Sequence, residues 1–192
     1  MLVVSDGPTY PWQMSDYPYW SLNFDLRSDL PEHVMGVLRD VAAGRLPQEG
    51  DLAQLHPVVR FYLSDWTRML VGEEEPWVGS PVRMFRHRNA DLGEAEGLSI
   101  EFSQHDDEYA NGGWVFWLWV LSLVHRPSPR PTSKSMIGFV AFDRDQGEAP
   151  NSYFADHEGL DLGDQHLTFQ TIDQTLEAQR DDDFGYGTRM DE

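Results

Sequence analysis

Cysteine is absent from this 192-residue chain. That excludes a disulfide framework, thiol catalysis and every zinc site built on thiolates, and leaves only His, Asp and Glu as metal ligands. Lysine is almost absent too: Lys134 is the only one among 14 basic residues. Long apolar runs are also missing. The longest, Trp114 to Val124, is interrupted by Ser122 and falls well short of the roughly 20 residues that cross a bilayer, so it reads as a buried helix and no membrane is expected as a partner. Met1 to Pro11 holds no basic cluster followed by an apolar stretch, so no secretory signal is expected and the cytoplasm is the default location. No serine sits in a Gly-x-Ser-x-Gly elbow. Asn111, Gly112 and Gly113 lack the downstream lysine of a phosphate loop, and no cofactor is expected.

Acid is abundant. Asp and Glu number 33 against 14 Lys and Arg, a net charge of -19, which repels phosphate backbones and anionic surfaces, disfavours direct nucleic-acid binding and draws basic partners. The apolar fraction of 40%, with 12% aromatic residues and seven tryptophans, belongs to a folded domain with a sizeable core.

One unit appears twice. Trp20, Leu22, Phe24 and Leu26 alternate with polar residues as a strand with one buried face. Asp29, Leu30, Pro31 and Glu32 then read as a capping box, followed by Val34, Val37, Leu38 and Val41 at helical spacing and Gly44 as the terminator. Leu98, Ile100 and Phe102 repeat the strand. A longer acidic turn, Gln104 to Gly113, leads into the helix Trp114 to Val124, which is apolar on almost every side and therefore the more deeply buried of the two.

Between the units, a polar connection through Pro47 and Gly50 precedes a helix expected from Pro57 to Gly72 and a strand over Pro81 to Arg88, and Asn89 to Gly97 reads as a turn. After them come an extended basic loop, His125 to Lys134, and a hairpin of Met136 to Phe142 with Ser152 to Ala155. Leu167, Phe169, Ile172 and Leu176 suit strand or helix equally. The expected division is an extended segment over 1–18, a single domain over 19–162, and a C-terminal extension over 163–192 that is partly disordered.

These elements predict an α+β fold, an antiparallel sheet backed by helices, of split βαβ or ferredoxin-like type with an extra helix and an added edge strand. The Trp20 to Arg39 and Leu98 to Trp119 stretches and the Gly138 to Tyr153 hairpin resemble those of uncharacterised bacterial α+β proteins that carry a similar duplicated strand-helix unit. The resemblance implies the fold and no activity.

Candidate sites are few. His105, Asp106, Asp107 and Glu108 form the densest set of metal-ligand types, but adjacent residues cannot all face one ion, and an acidic helix-capping turn accounts for the same residues. Arg83, Arg86 and Arg88 around His87, with Arg126 and Arg130, are candidate walls of an anion pocket, against which stands pairing with neighbouring carboxylates. His157 beside Glu158 is an acid-base candidate on a loop. Trp114, Trp117 and Trp119 read as core.

The function expected from this is non-enzymatic: an acidic protein binding a macromolecular partner, in the manner of an immunity- or antitoxin-type inhibitor of a basic protein. Glu73, Glu74, Glu75, Asp106 and Asp107 are the expected partner-binding acids. Two alternatives stand beside it. One is a metal-dependent or acid-base enzyme using the His105-Asp106-Asp107 turn. The other is a structural or assembly subunit docking through its aromatic N-terminal segment.

Overall fold

A computed structural model describes residues 19–57, 59–60, 82–89, 92–103, 114–128, 134–141 and 150–180. Their strands form one seven-stranded sheet: β1 (Tyr19–Asp25), β2 (Val82–Asn89), β3 (Gly93–Ser103), β4 (Ser135–Ala141), β5 (Asn151–Ala155), β6 (Gly159–Leu162) and β7 (Gln165–Thr168). Four helices are described: α1 (Glu32–Ala42), the short α2 (Glu49–Leu52), α3 (Trp114–Ser122) and α4 (Phe169–Ala178).

The strand order is β2-β3-β1-β4-β5-β6-β7 and every pairing is antiparallel. This is the expected α+β architecture, an antiparallel sheet with helices, in which β1 and β2 run parallel to each other with β3 between them. The sheet gains not one added edge strand but the three-strand meander β5-β6-β7. Residues 163–178, expected to lie in a C-terminal extension, supply β7 and α4, and Phe169 and Ile172 are buried in the core.

Alternation along β1 sorts the sheet into two faces. Residues directly opposite in a ladder share a face, so Leu22 lines up with Gly138 and Tyr153 on one side and with Ile100 and Val82 on the other. That row belongs to the core together with Val37 and Leu38 of α1, Val115 and Val120 of α3, and Ile172 of α4. Burying a side chain such as Leu22 contributes about 2 kcal/mol. Gly138, at φ 151°, lets β1 and β4 approach: a Cβ there would lie 2.2 Å from the Ser21 carbonyl oxygen.

The two strand-helix units differ as expected. α1 buries one stripe, Val34, Met35, Val37, Leu38 and Val41, whereas α3 is buried from Val115 to Ser122 apart from Leu118. Gly44 ends the first helical stretch at φ 69°. The capping box does not form. Pro31 occupies the N-cap position without a side-chain cap, Asp29 instead receives the Arg27 guanidinium through two bonds of 2.8 and 2.9 Å, and Glu32 receives Arg39 at 2.7 Å. A charge-assisted bond to guanidinium outcompetes a neutral backbone amide for a carboxylate.

Three other segments depart from expectation. The polar connection around Gly50 contains α2. Residues 93–97 belong to β3, because Glu94 and Glu96 lie opposite Arg88 and Arg86 and the ladder satisfies a stretch whose composition resembles a turn. Leu167 lies in β7 while Phe169, Ile172 and Leu176 belong to α4, whose N-cap Thr168 accepts from the Thr171 amide at 3.0 Å. The helix expected from Pro57 is described only at residues 57, 59 and 60. No helix of the described residues is long and apolar enough to cross a membrane.

Candidate functional site

The second face of the sheet is covered by no described helix, and it carries the chemistry. Its rows follow from the register: Met136 with Phe154, Asp161 and His166; Ser152 with Phe139, Ser21 and Glu101; Asp25 with Gly97 and Phe85. Tyr19 and Met136 are 39% and 55% exposed, although both are large and apolar. Tyr19 lies 6.2 Å from the Phe139 ring, centroid to centroid. Partial burial and the Glu101 carboxylate, which accepts its hydrogen bond, raise the Tyr19 phenol above its ordinary pKa.

Polar clusters sit at both ends of this aromatic strip. At one, Asp25 accepts from His87 Nε2 and from the Asn89 amide. Beside this cluster the Phe85 ring lies over Gly97, where a Cβ would stand 2.2 Å from that ring. Phe85 in turn packs 5.5 Å from the His87 ring. The backbone amide of His125 donates to the Asp25 carbonyl at 2.7 Å, and the buried Nε2 of His125 has no hydrogen-bond partner among the described residues. At the other end, Asp161 accepts from Lys134 and from His166 Nδ1, the latter at 2.7 Å. These two bonds, Lys134 first, hold the Asp161 carboxyl below the usual carboxylate range and raise Lys134.

The carboxylate-oriented imidazole of His87 has the form used to pass protons. Asp25 is its only hydrogen-bond partner among the described residues. No group of three or more His, Asp or Glu among the described residues is placed to hold a metal ion.

The structure separates the residues of the expected anion pocket. Arg83 lies on the open face, with Asn23 and Ser99, whereas Arg86 and Arg88 lie on the helix-covered face opposite Glu96 and Glu94. Arg86 binds Glu96 at 2.8 Å, and Arg39 of α1 reaches the same carboxylate at 3.4 Å. Partial burial pushes Glu96 upward, but the two guanidinium bonds outweigh it and leave its pKa below the ordinary value. A cleft of about 830 Å³ along this hairpin is lined by Arg86, His87, Arg88, Glu94, Ala95 and Glu96, so acid balances base within it. Arg126 is held elsewhere, by Asp173 of α4 at 2.8 Å and over the Phe169 ring at 4.8 Å.

His157 is an exposed turn residue 3.5 Å from Glu158, in a turn closed by Asp156, which accepts from the Glu158 and Gly159 amides. Trp117 and Trp119 are core and Trp114 is half-buried. The expected acids Glu73, Glu74, Glu75, Asp106 and Asp107, with His105, Glu108 and Arg130, lie outside the described residues. Reading the sequence alone missed the Asp25-His87-Asn89 and Asp161-Lys134-His166 clusters. The available signal was Asp25 on the polar side of the clearest strand, but its partners are 62 and 64 residues away.

No family model, no curated protein and no solved structure matches this chain.

Proposed function

We propose that the protein works by binding rather than catalysis, taking up a basic macromolecular partner on the open face of the sheet in the manner of an immunity- or antitoxin-type inhibitor. The observation that carries this reading is the pair of exposed large hydrophobics, Tyr19 and Met136, on a sheet face edged by the carboxylates Asp25, Glu101 and Asp161. Exposed aromatic and methionine side chains within a charged rim are the composition of a protein interface.

Electrostatics supports the same partner. Among the described residues, Arg27, Arg39, Arg45, Arg86, Arg126, Lys134 and Arg180 each pair with a carboxylate of this chain, which offsets their charge within the fold. A field from a net charge of -19 speeds encounter with a basic one. The test is isolation of the protein from its native cells at low and high salt. The expected result is a basic protein in stoichiometric amount whose association weakens with salt; recovery of the chain alone at low salt after cross-linking contradicts the reading.

A further inference from the structure

A cavity of about 310 Å³ lies on the helix-covered side, between α3, α4 and the strands β1, β5, β6 and β7. Trp20, Trp114, Leu118, Leu162 and Leu167 all line it, and all five are only partly buried. Half-exposed apolar surface converging on one cavity is surface that an occupant would remove from water. The Trp20 and Trp117 rings, stacked 4.8 Å apart and 7° from parallel, form part of its wall, against which another flat ring can extend the stack or meet an edge.

Among the described residues, the polar complement of the cavity is small and neutral. In a chain with 24% charged residues, no described charged side chain lines it; the polar lining is Gln165, Thr171 and Thr175. The Thr171 hydroxyl is spent on Thr168 at 2.8 Å. Among the described residues, neither the solvent-exposed Gln165 amide nor the half-buried Thr175 hydroxyl has a hydrogen-bond partner. A charged ligand would lose its hydration there without a counter-charge, whereas a neutral ring with one polar edge would satisfy both groups.

We infer that this cavity binds a neutral, flat aromatic small molecule bearing a hydroxyl or amide edge, its ring against the tryptophans and its edge toward Gln165 and Thr175. The site is separate from the open sheet face and stands or falls independently of the partner proposed there.

Titration calorimetry of the full chain with 2-naphthol, naphthalene and 2-naphthoate tests the inference. Saturable binding of 2-naphthol at one site per chain is expected, with 2-naphthoate at least about tenfold weaker. Thr175→Val should lower 2-naphthol affinity roughly threefold to tenfold, the worth of one hydrogen bond, and leave naphthalene unchanged. Leu118→Trp, which fills the cavity, should abolish binding of both. Thr175→Val keeps volume and does not depend on Leu118→Trp folding. Absence of saturable 2-naphthol binding, equal affinity for 2-naphthoate, or 2-naphthol binding unchanged in Thr175→Val overturns it.

Discussion

The two faces of one sheet make opposite use of the same strands. Along β1 the even positions, Leu22 and Phe24, are sealed against helices, while the odd positions, Tyr19 and Asn23, are exposed. From Val82 of β2 to Leu162 of β6 the row through Leu22 is aliphatic and aromatic, apart from the glycine that lets β4 approach. The row through Met136 passes from methionine to phenylalanine, aspartate and histidine. The first composition can only be buried. The second offers apolar contact and charge together, which suits a surface that another molecule covers. Stability therefore resides on the first face, and the second is the one proposed to receive a partner.

The largest expected effect lies on the covered face. Leu22→Ala removes a fully buried side chain and should cost about 2–5 kcal/mol in a denaturant titration; a cost below that of any open-face substitution would break the assignment of the faces. Gly138→Ala should follow at about 1–3 kcal/mol, because the added Cβ meets strand backbone that cannot move aside.

Gly97→Ala sharpens the comparison, since the neighbour there is a ring that can swing toward solvent. Its stability cost should be smaller, below about 1 kcal/mol. Its signature should be a shifted His87 resonance in NMR, as Phe85 is displaced and the bond to Asp25 is disturbed; an unmoved His87 would detach the glycine from the cluster.

Between the faces in magnitude stands pH. Glu96 is held below its ordinary pKa in the folded state, so its pairing with Arg86 and Arg39 contributes stability above the unfolded carboxylate pKa and loses it as pH falls through the folded value. Glu96→Gln should flatten that part of the acid limb; an identical acid limb in the variant would assign the pH dependence elsewhere. Smallest of all, Tyr19→Ser with Met136→Ser should change stability by no more than about 0.5 kcal/mol, because neither side chain is buried.

Much of the covered face was legible before folding. Strict alternation in β1, the one-sided stripe of α1 and the all-round apolarity of α3 each identify a surface that must leave water. What failed was whatever depended on a distant partner. Glu94 to Gly97 resembles a turn until Arg86 and Arg88 stand opposite it, and Asp29 resembles a cap until Arg27 takes it. The open face was hidden for the same reason. Asp25 and His87 mean little apart, and only the ladder that sets β2 beside β3 and β3 beside β1 brings the pair together.

The most direct test of recognition on the open face compares three proteins recovered from native cells at low salt: the unaltered chain, the Tyr19→Ser, Met136→Ser variant, and Leu46→Ser, which alters a still more exposed hydrophobic away from the sheet. The account predicts a basic protein bound in stoichiometric amount to the unaltered chain and to Leu46→Ser, and lost from the double variant while its fold is retained. Equal recovery from all three, or none from any, would contradict it.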